Sequence, residues 1–302
     1  MQSNQQSSSI TIVPTGASLG AEVQGVDLAQ PVGETTRRAL IDAWARHMVL
    51  LFRGQVLSPA AQIDAARIFG QPEIPAAAKY YEAVGKAQNA TARELMVISN
   101  LGPDGKPTAV NDGLGSGEVH WHSDNSYIEA PPAGSMLYSL EIPPDGGETS
   151  FANQYAAYET LPPDIKKALV GRYARHDASR NSAGVLRPGL SEPRTPDEVP
   201  GPNHPLVRTH PLTARPALYL GRRRSYPSQF VIDMETSQSE SLLDTLWSHA
   251  TKPQFVWTHR WRVGDVLLWD NRAVMHRREG HDPTKRRIMH RVQIEGEAVV
   301  AA

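Results

Sequence analysis

The sequence predicts a mixed α/β protein that is mainly β: a double-stranded β-helix, or jelly-roll, core with flanking helices and a lid loop. Three observations predict it. Short strand-like runs recur along the 302 residues, helical patterns interrupt them, and neither an internal repeat nor a linker divides the chain. Length permits one unit, because large all-β and mixed sheets often reach about 200–300 residues as a single domain.

Residues 1–9 are polar and rich in Gln and Ser, and read as a disordered tail ahead of a single domain over 10–302. Ile10–Val13 alternates as a strand does, and Ala21–Leu28 supplies a second. From Thr35 to Met48, the residues Leu40, Ile41, Trp44 and Met48 fall on one helical face. The apolar run Met48–Phe52, stopped by Arg53-Gly54, reads as a buried strand. Ser58-Pro59 starts a helix with a hydroxyl cap and a first-turn proline, and Gly70 ends it. Leu95–Ser99 is strand-like.

The stretch Leu101–Gly117 carries five glycines and two prolines. Long loops of this kind in compact domains are usually functional. This one stands directly before a candidate metal ligand, so about 101–118 reads as a lid. Strand-like pieces follow at Val119–His122, Ser135–Leu140 and Thr149–Ala152, with a turn at Pro143–Gly147. Gln154–Leu161 and Pro163–Val170 are helical. About 178–203, rich in Pro, Gly, Ser and charge, reads as a surface insertion. Leu206–Thr209 and Ala217–Leu220 are short strands. Ser237–Ala250 is amphipathic, with Leu242, Leu243, Leu246 and Trp247 on its apolar face. Phe255–Trp261, Asp265–Trp269, Val274–His276 and Ile288–Ile294 close the chain as strands.

Composition narrows the function classes. A formal charge of −1 gives no global pull toward nucleic acid or an anionic membrane, so affinity for an anion must come from a local cluster. The absence of cysteine excludes disulfides, thiolate zinc sites, iron–sulfur clusters and cysteine nucleophiles, and fits a reducing compartment. The N-terminus lacks the basic and apolar segments of a signal peptide, and no apolar run approaches the roughly 20 residues that cross a bilayer. A cytoplasmic protein is the expectation.

The chemistry concentrates in His122-Ser123-Asp124, in His276 and in Arg286–Arg291. On a strand, residues i and i+2 share a side, so His122 and Asp124 can converge on one ion. Two imidazoles and one carboxylate are the set that holds ferrous iron on one face and leaves the other open. A bare His-x-Asp is weak evidence in a chain with eleven histidines. Taken singly, His122 and His276 read as ordinary core or solvated residues, Thr149 as a strand threonine and Arg287 as a surface arginine.

Context changes that balance. In order along the chain stand Trp121-His122-Ser123-Asp124, Gly146-Gly147-Glu148-Thr149, Val207-Arg208-Thr209-His210-Pro211, Trp269-Asp270-Asn271-Arg272, His276 and Arg286–Arg291. With these motifs, from about Thr11 to about Glu295, the sequence resembles the taurine dioxygenase/TfdA family of Fe(II)/2-oxoglutarate-dependent dioxygenases. The resemblance implies His122, Asp124 and His276 as iron ligands. It implies Thr149 and Arg287 on the distal carboxylate of 2-oxoglutarate, where a guanidinium fork and a hydroxyl suit a carboxylate. Arg291 is then expected at the cosubstrate's chelating end or on the substrate's acidic group. Asn125 is a candidate substrate contact beside Asp124, and Asn100 and His120 are weaker ones. Trp269 and Asn271 are expected behind the ligands, and His210 and His290 in packing roles.

The resemblance further implies Fe(II), 2-oxoglutarate and O2, with hydroxylation of a substrate C–H bond coupled to decarboxylation of 2-oxoglutarate to succinate. Hydroxylation beside a heteroatom can end in C–O, C–N or C–S cleavage. Arg291, and the run Arg222-Arg223-Arg224 if it is more than a solvated face, suggest a small carboxylate, sulfonate or phosphonate. Relatives are commonly dimers or tetramers. Taurine itself is unsupported, because Phe69-Gly70 leads into Gln71-Pro72-Glu73-Ile74-Pro75 and not into a histidine-rich segment. Alternatives are desaturation or ring closure by the same iron core, a zinc hydrolase using the same three ligands, and a non-catalytic jelly-roll binding protein.

Overall fold

The computed structural model describes residues 10–76, 92–109, 115–181 and 184–302. The expected tail therefore lies outside the described residues, as do 110–114 of the lid and 182–183 of the insertion. The first strands in chain order are β1 Thr11–Pro14, β2 Ala21–Gln24, β3 Val49–Phe52, β4 Pro72–Glu73, β5 Leu95–Ser99, β6 Val119–His122, β7 Gly134–Glu141 and β8 Thr149–Asn153. There follow β9 Tyr173–Arg175, β10 Asn203–Pro205, β11 Val207–Thr209, β12 Pro216–Leu218, β13 Val256–His259, β14 Val266–Asp270, β15 Val274–Arg278 and β16 Ile288–Ile294. Helices occupy Glu34–His47, Pro59–Arg67, Gln154–Glu159, Pro163–Leu169 and Thr236–Ala250. None of the described helices is long and apolar enough to cross a membrane.

The larger sheet runs β1-β2-β3-β14-β7-β16-β4, with β5 also paired to β16, and the smaller runs β13-β8-β15-β6. Alternation along each strand places the layers. From β14, Val266 and Leu268 pack with Leu50, Phe52, Met136 and Trp44 beneath the N-terminal helices. Leu267 and Trp269, pointing the other way, meet Phe151 and Val274 of the smaller sheet. On that sheet's far side, Met275 packs on Leu243, Leu246 and Trp247 of the 236–250 helix. Each fully buried side chain of this size contributes about 1.5–3 kcal/mol. The same parity turns His276 and Arg278 of β15, Thr149 of β8 and Arg291 of β16 into the space between the sheets.

Local chemistry explains the ends of the first helices. Ser58 caps the second helix by accepting the Ala61 N–H at 3.1 Å, as its hydroxyl-proline start predicts. Met48, expected on a helical face and in the next strand, instead terminates the first helix in the left-handed region at φ 63°. The 178–203 stretch is not all surface: Ser179, Arg187 and Val199 are buried, and Ala178 N–H donates to Pro200 O at 2.7 Å.

The turn between β14 and β15 rests on a buried ionic network. Asp270 accepts two bonds from the Arg272 guanidinium, both at 2.8 Å, and one from His210 Nε2 at 2.9 Å. Burial raises the Asp270 carboxyl, but Arg272 and His210 outweigh it and hold it well below the usual carboxylate range. Its contribution to stability is therefore complete above the unfolded value, about 4, and is lost as pH falls through the lower folded value. Asp270→Asn, which leaves the buried Arg272 only its longer pairing with the exposed Glu297 at 3.7 Å, should cost about 3 kcal/mol of unfolding free energy in a denaturant titration.

Candidate active site

β15 pairs antiparallel with β6 so that His276 lies opposite His122, with ring centroids 4.1 Å apart. Asp124 follows two residues after His122, where its backbone is clamped. Asp124 N–H donates to Asn271 Oδ1 at 2.7 Å, and Asn271 Nδ2 returns a bond to Asp124 O at 2.9 Å. Asp124 Oδ1 then stands 3.6 Å from His122 Nε2 and 3.8 Å from His276 Nε2. Among the described residues the three form a set whose ligand atoms all lie within 4.8 Å of one another.

Neighbouring groups select which atoms are free to bind. His122 Nδ1 lies 2.8 Å from His120 O, and a carbonyl can only accept, so Nδ1 carries the proton and Nε2 presents its lone pair. Ser135 Oγ donates to Asp124 Oδ2 at 2.8 Å, leaving Oδ1 as the oxygen that faces both imidazoles. Arg291 Nη1 donates to that Oδ1 at 3.3 Å.

Charge states agree with this geometry. Burial, and then Arg222, push His122 down to about 4. Burial, and then His122, hold His276 well below the usual imidazole value. Burial raises Asp124, but Arg291 and His276 outweigh it, so its carboxyl stays well below the ordinary range. Two neutral nitrogens and one ionised oxygen are the protonation states a divalent ion requires. The donor set fits Fe(II).

A second group lies across the sheet. Thr149 Oγ1 accepts from Trp261 Nε1 at 2.9 Å, and Trp261 and Arg287 line one pocket. The Arg287 side chain runs past Gly147, where an added Cβ would sit 3.4 Å from Nε. Arg287 is 2% exposed, and no carboxylate pairs with its guanidinium among the described residues. Burial, and then Arg278, lower it to about 9. A buried cation without a counter-charge is costly, so this end of the site is built for an anion.

The remaining candidates separate. Asn271 clamps Asp124, and the Trp269 ring lies 4.8 Å from the His276 ring. Asn125, at φ 49°, donates to Gln293 Oε1 at 3.0 Å and accepts from Tyr127 Oη at 3.1 Å. Asn100 spends its amide on the backbone, accepting from Arg287 N–H at 2.9 Å and donating to Lys285 O at 2.8 Å. It braces Arg287, and that use of both amide groups replaces the substrate contact expected of it. His120 does not reach the site, and its side chain is 80% exposed, 3.6 Å from Glu118. The expectation failed because β6 and β15 shift register between His276 and Arg278, a bulge that breaks the strand parity.

Sequence reading missed Ser135, which shares its strand face with Leu137 and Ser139. It also missed His176 and Arg187, which join Arg222 around a second cavity bordering His122. No linear pattern marks either.

The chain matches the family model described as "Taurine catabolism dioxygenase TauD, TfdA family" over residues 11–293. It is 35% identical to an alpha-ketoglutarate-dependent 2,4-dichlorophenoxyacetate dioxygenase of Cupriavidus pinatubonensis, covering 97% of this chain and 100% of the relative. It is 33% identical to an (S)-phenoxypropionate/alpha-ketoglutarate-dioxygenase of Delftia acidovorans, covering 95% of each. Among solved structures, AAD-2 in complex with Mn(II) and N-oxalylglycine superposes with a TM-score of 0.79 at 31% identity, covering 97% of this chain and 100% of that one.

Proposed function

The chain belongs to the TauD/TfdA family of 2-oxoglutarate-dependent, non-haem iron dioxygenases, and from that premise we propose which residues carry the reaction and what it acts on. The enzyme uses Fe(II), 2-oxoglutarate and O2. We assign His122 Nε2, Asp124 Oδ1 and His276 Nε2 to the iron, Arg287 with Thr149 to the far carboxylate of 2-oxoglutarate, and Arg291 to the space between them. One observation carries the assignment: a neutral-imidazole and carboxylate triad is accompanied by a buried arginine beside Arg278, two residues past His276 on β15, and among the described residues no carboxylate pairs with it. When bound, iron and 2-oxoglutarate supply the oxidising chemistry, in which O2 is consumed, the keto acid leaves as succinate and CO2, and a substrate C–H bond is hydroxylated.

The chain's own groups orient and exclude. Asn271 fixes where Asp124 points, Ser135 holds its second oxygen, and His120 O fixes the His122 tautomer. Trp269 and Phe151 wall the His276 ring, with centroids 4.8 and 6.0 Å away, and keep water from that side. Groups of this supporting kind are typically worth about 10–100-fold in metal affinity. Ser135→Ala should therefore weaken Fe(II) binding by about tenfold or more in a competition titration with a chromophoric chelator.

The two sheets meeting through Phe151, Val274, Leu267 and Trp269 support a double-stranded β-helix within one domain over 10–302. The 101–118 loop supports a lid reading, since Arg286 Nη1 donates to Gly105 O at 2.9 Å and His281 N–H to Ser116 O at 3.0 Å, tying it beside Arg287.

For the substrate we propose a small organic acid, with aryloxyalkanoates first because four relatives above 30% identity are named for them. Succinate release from 2-oxoglutarate, screened over aryloxy acids, sulfonates and phosphonates, tests this. Release stimulated by an anionic compound and absent without O2 is expected. Stimulation by neutral compounds alone would refute the acid assignment.

A further inference from the structure

The run Arg222-Arg223-Arg224 is split by the fold. Arg223 turns to the 236–250 helix and pairs with Glu240 at 2.9 Å and Asp244 at 2.7 Å. Arg222 and Arg224 turn the other way, into a narrow pocket whose lining also includes Arg180, Arg187, His176 and the iron-ligand candidate His122. The lining holds four arginines against one aspartate, Asp177. That carboxylate is already engaged, accepting from Ser179 N at 2.7 Å, from Ser179 Oγ at 2.8 Å and from Ser228 Oγ. The Arg187 guanidinium carbon stands 4.0 Å from the Tyr127 ring centroid, a cation–π contact. Arg224 donates to Asn181 O at 2.6 Å, and Arg180 donates to Gly184 O at 2.9 Å and pairs with Glu192, so the excess positive charge rests on Arg187, Arg222 and Arg224. Like charges gathered in one partly enclosed space favour an anion there.

Position links this cavity to the reaction centre. Arg222 bridges to His122 as an antiparallel partner, and Ser123 N–H donates to Gly221 O at 2.9 Å. His176 supplies an independent sign of a ligand. It is 3% exposed, and among the described residues neither ring nitrogen has a hydrogen-bond partner. A Cβ on Gly221, at φ +68°, would fall 2.2 Å from His176 Nδ1, so glycine there is what lets the imidazole approach. A buried imidazole without partners is costly, and an oxyanion placed beside it would accept its N–H.

We propose that this cavity is the subsite for the anionic head group of the primary substrate, with Arg222 as its specificity-determining cation and His176 as a hydrogen-bond donor. The proposal rests on the reading of His122 as an iron ligand. Its chemical consequence is regiochemical. A carboxylate or sulfate held beside His122 brings the carbon adjacent to that group nearest the metal, so oxidation falls next to the acid and not on a distant ring. The shared chemistry is a compact oxyanion, and the two sources are an organic carboxylate and an organic sulfate.

The test is calorimetric binding to the protein loaded with Mn(II) and N-oxalylglycine, using phenoxyacetate, phenyl sulfate and the neutral phenoxyacetamide. Wild type should bind at least one of the two anions and discriminate against the amide. Arg222→Met should lose roughly 30-fold or more of that affinity, Arg222→Lys should retain part of it, and Arg223→Met should match wild type. Tighter phenoxyacetate assigns a carboxylate substrate, and tighter phenyl sulfate an organic sulfate. Equal binding of acid and amide, an Arg222→Met variant that binds like wild type, or no binding of either anion to wild type would overturn the proposal. Failure of the underlying reading shows differently: His122→Ala would then take up Mn(II) as wild type does.

Discussion

His276→Ala should abolish stoichiometric Fe(II) binding and, with it, all succinate release. His276 Nε2 and His122 Nε2 both face Asp124 Oδ1, at 3.8 and 3.6 Å. Removing one imidazole leaves two ligands, too few to hold a divalent ion against solvent, so the loss should exceed the roughly 10–100-fold typical of a supporting group. The fold should survive, because the ring lies between Trp269 and Phe151, which keep their own core contacts. Metal content after dialysis, read beside the thermal midpoint, checks this. A folded His276→Ala protein that retains one equivalent of iron would contradict the assignment.

The second large effect concerns Arg287. Arg287→Met should raise the 2-oxoglutarate requirement by roughly 30-fold or more, the equivalent of about 2–5 kcal/mol for truncating one partner of a desolvated charge pair. Stability should move the other way or not at all. Without cosubstrate the guanidinium is a buried cation, lowered to about 9 by burial and by Arg278, and an apolar side chain of similar volume relieves that cost. Steady-state kinetics against 2-oxoglutarate and a denaturant titration of the same protein separate the two effects. A variant that loses stability while keeping its 2-oxoglutarate KM would make Arg287 a structural residue.

The triad was legible because its chemistry is compact in sequence: a His-x-Asp pair, a third ligand on a later strand, and a basic run at a fixed distance beyond it; the shared strand face expected for the pair does not form, since β6 ends at His122 and Asp124 lies in the turn that follows. The helix starts at Ser58-Pro59 and the mainly β architecture were legible for similar local reasons. What failed depended on pairing between distant strands. His120 seemed to share a face with His122 until a register shift against β15 turned it to solvent. Ser135 sits on a strand 11 residues past Asp124, and nothing in its neighbourhood says which carboxylate it reaches. The cavity beside His122 combines His176, Arg187 and Arg222, brought together by loops whose composition resembles a solvated insertion. Local sequence carries periodicity and caps, whereas the second wall of a site is written in long-range packing.

A crystal structure of the protein with Mn(II) and N-oxalylglycine, with the metal located by anomalous scattering, tests the central assignment most directly. A single peak bonded to His122 Nε2, Asp124 Oδ1 and His276 Nε2 is expected, with the free carboxylate of N-oxalylglycine on Arg287. A peak held by any other residues, or an inhibitor carboxylate that leaves Arg287 without a counter-ion, would contradict it.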